Sequence, residues 1–202
     1  MPLIKYNNQS LSSITALPSA IPTGKLKLIS SQTASNSASI SFTSGLTSTY
    51  KVYKFVFVNI HPRTDDANFQ FNMSTDGGSN YNVTKTTTTF YASHDEPDTG
   101  TSLTYWTSGD LAQSTAFQTL FLETGNGADE SSVGSLDLFN PSSTTYVKHF
   151  IHRGNSYQSQ NITVNLHVAG YGNTTSAVNA IRFQMDSGNF DGTIYLYAID
   201  NS

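Results

Sequence analysis

Residues 50–60, Tyr-Lys-Val-Tyr-Lys-Phe-Val-Phe-Val-Asn-Ile, constrain this chain more than any other stretch. β-Branched and aromatic side chains are concentrated here, in a chain otherwise dominated by Ser, Thr, Asn and Gly, and both groups favour extended backbone. In an unbroken strand, Val52, Val56, Val58 and Ile60 share one face and Tyr53, Phe55 and Phe57 the other. A strand apolar on both faces is expected to lie centrally in its sheet and to be covered on both sides.

The rest of the chain follows the same theme. Leu26 and Leu28 alternate with Lys25 and Lys27, and Ile40 and Phe42 with Ser39, Ser41 and Thr43. Phe69, Phe71 and Met73 oppose Gln70 and Asn72. Asp76-Gly77-Gly78 supplies residues that tolerate positive φ, and the chain is expected to turn there and return through Tyr81 and Val83. The Thr-rich run 84–91, then 103–105, 117–122, 136–138, 146–153, 162–168, 181–185 and 193–199 read as further strands, with Asn140-Pro141 closing one of them. About ten strands and no sustained helical period predict an all-β fold, an antiparallel two-sheet sandwich of jelly-roll type, with a barrel as the alternative.

A polar segment precedes these strands. Residues 1–22 carry spaced apolar positions, Leu3, Ile4, Tyr6, Leu11, Ile14, Leu17 and Ile21, with prolines at 18 and 22 that remove ladder donors. The expectation is an extended anchoring arm that buries those side chains on a neighbour, followed by one sandwich domain over 23–202. The other reading is a frayed terminus.

Only 12% of the 202 residues are charged, so hydroxyls and amides must dress the surface. The net charge of -4 and ten scattered Lys and Arg argue against nucleic acid, which requires clustered cations. No apolar run approaches the roughly 20 residues of a membrane span, and residues 1–8 lack the apolar core of a secretory signal. There is no Cys, hence no disulfide or thiolate site. No cofactor or metal is expected. His149 and His152, three apart on a strand, fall on opposite faces. His94-Asp95-Glu96-Pro97-Asp98 could offer oxygen ligands to Ca²⁺ but lacks EF-hand spacing, and reads as an acidic loop. Asn-x-Ser/Thr triplets at Asn8, Asn72, Asn82, Asn161 and Asn173 are expected by chance in so Ser/Thr-rich a chain.

Nucleophile motifs are missing, and the carboxylate pair Asp129 and Glu130 sits beside a flexible Gly125-Asn126-Gly127 turn, so the chain reads as non-enzymatic. Tyr91, Tyr105 and Trp106 flank two loops rich in Asn, Ser and Asp. They are candidate sugar-stacking residues, with a plain core position as the competing reading for Trp106.

Several phrases resemble small β-rich virion structural proteins of tailed bacteriophages of aquatic hosts. They are residues 1–11 with Lys5-Tyr6-Asn7-Asn8, 26–43 with Ser30-Ser31-Gln32-Thr33-Ala34-Ser35, 50–64 with Asn59-Ile60-His61-Pro62, the turn at 76–81, and 187–199 with Gly192-Thr193-Ile194-Tyr195-Leu196-Tyr197. The resemblance implies a virion-surface protein made in the host cytoplasm, a capsid decoration protein anchored by its N-terminal arm. It further implies a homo-oligomer, most often a trimer, in contact with major capsid or tail proteins. A tail-fibre or receptor-binding role toward host surface glycans is the alternative. The resemblance carries no motif that assigns functional residues.

Overall fold

The computed structural model describes residues 26–199; the arm proposed over 1–22, with Leu3, Ile4, Tyr6, Leu11, Ile14, Leu17 and Ile21, lies outside them. Twelve strands and no helix occur among the described residues: β1 (Leu26–Ser37), β2 (Ser39–Phe42), β3 (Val52–Pro62), β4 (Ala67–Ser74), β5 (Lys85–Asp95), β6 (Thr101–Tyr105), β7 (Gln118–Thr124), β8 (Ser132–Phe139), β9 (Lys148–Gln158), β10 (Ile162–Gly172), β11 (Ala180–Met185) and β12 (Phe190–Ile199). They form two antiparallel sheets, of order β1-β12-β3-β8-β9-β10-β5-β6 and β2-β11-β4-β7.

The fold is the predicted sandwich, and its strand order is that of a jelly roll with additions. The frame consists of β1-β12-β3-β8 in one layer and β2-β11-β4-β7 in the other, the paired four-strand order of two interlocked Greek keys. Two hairpins are inserted into this frame, β5–β6 between β4 and β7, and β9–β10 between β8 and β11. Both add to the same layer and extend it by four strands, here called the wing.

The core is aromatic. Phe183 of β11 stacks on Phe69 (ring centroids 5.9 Å apart, interplanar angle 7°) and meets Phe57 from the opposite sheet at 5.1 Å. Phe71 meets Phe150 edge-on at 5.0 Å. Such pairs are worth about 0.5–1.5 kcal/mol each beyond the area they bury. Phe121 of β7 reaches across to the large sheet, where Gly134 and Gly154 stand opposite each other on β8 and β9. A Cβ on Gly154 would overlap the Phe121 ring, so this glycine pair is the seat that lets the sheets close around it.

β3 is interior in its sheet, as expected, but is covered on one face only. Tyr53, Phe55 and Phe57 are buried, whereas Val58 is exposed and Val56 half-buried. The alternation also breaks. Register against β8 shifts between Phe57 and Ile60, Asn59 adopts φ 51°, and Ile60 turns inward to join the core. Opposite it, Gly192 (φ 134°) leaves room for the Asn59 carbonyl, which a Cβ would meet at 2.7 Å. Ile60 is therefore not on the Val56 and Val58 face; one bulge residue reverses the period.

Two further expectations change. There are twelve strands rather than about ten, and β1 runs on past its Leu26 and Leu28 alternation, its Ser-rich second half pairing with β12 as an edge strand. Asp76-Gly77-Gly78 does form a turn, with φ 76° and 93° at the glycines and Asp76 accepting from Ser74 Oγ (2.6 Å) and Asn80 N (2.9 Å). These bonds hold its carboxyl down at about 2, the Ser74 hydroxyl contributing most. The turn does not return the chain to a hairpin. Residues 81–84 form no strand, and β5 enters the opposite sheet, so the segment crosses between layers.

Candidate binding face on the inserted wing

Several grooves among the described residues lie on the wing. On its outer face, register places the side chains in cross-strand rows. One row runs Ser135, Arg153, His167, Phe90, Tyr105 across β8, β9, β10, β5 and β6. The His167 imidazole lies flat on the Phe90 ring, 4.8 Å between centroids and 5° from parallel. Its pKa is pushed down, first by partial burial and then by the neighbouring Arg153 cation. Tyr105 donates to Asp110 Oδ2 at 2.5 Å.

On either side of this row the chemistry differs. Toward Ala169, a small side chain between Ile151 and Thr88, the face dips into an apolar trough of about 490 Å³ that ends at His149 and Tyr171. Toward the β5–β6 turn lies a polar groove of about 340 Å³, lined by Tyr157, Asn155, Asn161, Thr163, His94 and the 95–96 carboxylates. It continues through His94, Asn155 and Thr163 into a second hollow at Asn165. The Tyr157 hydroxyl donates to Glu96 Oε1 (2.9 Å), with Asn161 Oδ1 3.0 Å away, and this bond raises the phenol's pKa. Thr163 donates to Asn155 Oδ1 at 2.9 Å. The Asn155 amide nitrogen has no partner among the described residues. An aromatic ring, carboxamides and a carboxylate in one open groove make the usual polar inventory for sugar hydroxyls.

The sugar-stacking trio expected from sequence is divided between faces. Tyr105 is exposed on the outer face opposite Phe90. Tyr91 and Trp106 face the other way, into a cleft of about 230 Å³ shared with Glu123 and Gln158, where both pack against the core. The Trp106 carbonyl accepts from Thr89 Oγ1 (2.7 Å), and Leu111 N donates to Thr87 Oγ1 (2.8 Å), so the loop after β6 folds back beneath β5. Tyr157, which sequence reasoning did not single out, occupies the polar groove instead; its neighbours come from three strands that only the topology brings together.

The acidic loop closes on itself. Asp95 accepts from Thr99 N (2.9 Å), Gly100 N (2.8 Å) and the Thr99 hydroxyl, which lowers its pKa, the Thr99 hydroxyl contributing most. His94 pairs with Asp98 at 3.0 Å. Glu130 accepts from Gly127 N within its own loop, while Asp129 is exposed. Among the described residues no three His, Asp or Glu side chains gather into a metal-binding group. His149 and His152 do lie on opposite faces: His149 at the trough, His152 fully buried against Phe57 and Phe121. Asn72, first of a glycosylation triplet, is fully buried.

No protein-family model, curated protein or solved structure matches the chain.

Proposed function

We propose that the chain is a non-enzymatic structural protein of a phage virion, a decoration protein displayed on the particle surface, with residues 1–22 as its attachment segment and the outer face of the large sheet as its contact face. One observation carries this reading. Of the nine large apolar side chains that stand exposed among the described residues, eight (Leu26, Leu28, Val58, Phe90, Leu103, Tyr105, Val133 and Ile151) project from that single face. Clustered exposed apolar surface marks interaction sites. The jelly roll is shared by viral capsid and lectin domains, which is an analogy of fold and compatible with either role.

The polar groove at Tyr157 favours a second reading, attachment to host glycans by a tail appendage. A gold-labelled antibody fragment on purified particles separates the two. Label spread over the head is the expected result. Label confined to the tail transfers the function to the groove, and particles without label refute virion display altogether.

A further inference from the structure

Two lysines are buried where the wing meets the jelly roll. Lys85 on β5 and Lys148 on β9 both stand opposite Gly172 of β10, and neither exposes any surface. Among the described residues no carboxylate pairs with either. An ammonium group buried without a counter-charge is costly, so the charge is expected to be removed. Burial accordingly lowers the pKa of both, that of Lys85 to about 7.

The two differ in what they face. Lys148 Nζ donates to two backbone carbonyls, Tyr146 O (2.7 Å) and Thr174 O (3.1 Å). Lys85 Nζ donates to one, Val83 O (2.8 Å), and to a side-chain carboxamide, Asn72 Oδ1, at 2.6 Å. The Asn72 carboxamide is fixed at both ends. Its oxygen also accepts from Met73 N at 2.8 Å, and its nitrogen donates to Thr115 O at 2.8 Å. An amine that sheds its proton near neutrality is thus held against an acyl group whose oxygen is already polarised by the Met73 N–H, away from competing water. These are the elements of nucleophilic acyl transfer: a neutral nucleophile, enforced proximity and a polarised carbonyl.

We propose that Lys85 and Asn72 form an intramolecular isopeptide bond. Lys85 Nζ attacks Asn72 Cγ; the Nζ–Cγ bond forms, the Cγ–Nδ2 bond breaks, and Nδ2 departs as ammonia with the proton that Nζ gives up. No co-reactant is consumed. The product amide is neutral, which eliminates the buried cation. It also ties β4 of the small sheet to β5 of the wing, stapling the crossover that contains the Asp76-Gly77-Gly78 turn. Lys148, also without exposed surface but less deeply placed and facing backbone carbonyls only, is the internal control.

The test is the mass of the purified full-length chain after prolonged incubation at neutral pH. The expected mass falls short of the sequence mass by one ammonia. Trypsin no longer cuts after Lys85, and because no Lys or Arg lies between 85 and 148, a peptide of residues 64–148 appears with the same deficit. The deficit vanishes in K85R, persists in K148R, and becomes one water in N72D. A succinimide at Asn126-Gly127 would also cost one ammonia, but it leaves cleavage at Lys85 intact and persists in K85R. Full mass with normal cleavage after Lys85 overturns the proposal, as does a deficit that K85R retains. If K85R does not fold, the wild-type peptide map alone decides.

Discussion

His152 should make this fold acid-labile, by an amount that can be worked out. The ring is fully buried between Phe57 and Phe121, opposite Leu136 on β8 and Val168 on β10. Neither ring nitrogen has a partner in hydrogen-bonding geometry, and the carbonyls of Leu120 and Ser135 offset the desolvation only in part. Burial therefore pushes its pKa down to about 3, with the His167 charge a minor contribution. The unfolded chain binds this proton near pH 6.5 and the folded protein does not. Its contribution to stability is thus complete above pH 6.5 and is lost progressively as pH falls toward 3. At 1.36 kcal/mol per pH unit, the loss is about 2 kcal/mol at pH 5 and approaches about 5 kcal/mol near pH 3. That is a large share of the roughly 5–15 kcal/mol holding a typical domain together. His152→Leu removes the titrating group and two unpartnered nitrogens while keeping an apolar filling. Urea unfolding of both proteins at pH 7.5 and pH 5 isolates the histidine from the carboxylates, which titrate equally in each. The wild type should lose about 2 kcal/mol more than the variant between the two pH values. Parallel losses would refute the reasoning and mean that the ring gains a proton without penalty.

Other perturbations test separate parts of the description. Gly154→Ala drives a methyl group into the Phe121 ring and should destabilise by about 1–3 kcal/mol in a melt, as overpacking does, whereas Gly77→Ala meets no atom and should cost only the strain of positive φ, about 1–2 kcal/mol. Asp95→Ala removes the acceptor for Thr99 and Gly100; hydrogen exchange should quicken at those two amides while the β3 amides stay protected. Leu103→Lys with Ile151→Lys should abolish particle decoration without lowering the melting temperature, because both side chains are more than half exposed. If the polar groove reads glycans, Tyr157→Ala should lose glycan-array signal while Trp106→Ala should lose stability, since Trp106 packs on the core.

Much of the fold was legible because strand period and turn chemistry are local. Phe69, Phe71 and Met73 on one side and Gln70 and Asn72 on the other follow from alternation alone, and β8 stops at Phe139, just before the Asn140-Pro141 pair expected to close it. Legibility failed where one residue or one distant partner decides. The Asn59 bulge carries no signal in an apolar run, yet it moves Ile60 to the other face. The Ser-rich half of β1 has no hydrophobic pattern, because an edge strand with one partner needs little. Tyr157 escaped notice because Asn155 and Asn161 beside it carry no signal alone, while His94 and the carboxylate of Glu96 arrive from β5 and the β5–β6 turn, far away in the chain. Tyr91 and Tyr105, close in the chain as a sugar platform would require, are separated by the parity of two paired strands.

The pairing of β1 with β12 has a mechanical consequence. Leu26 stands directly opposite Ile199, so both ends of the described chain leave from one corner, at the edge of the sheet farthest from β6. A passenger fused after Ile199 would emerge beside Leu26, with the wing at the other side of the molecule. Tension between these two ends would load the β1–β12 hydrogen bonds one rung at a time, peeling the edge strand like a zip instead of shearing all the rungs together. A particle that holds this protein by its first residues would therefore resist force better when the load enters through the wing than when it enters through the carboxyl end.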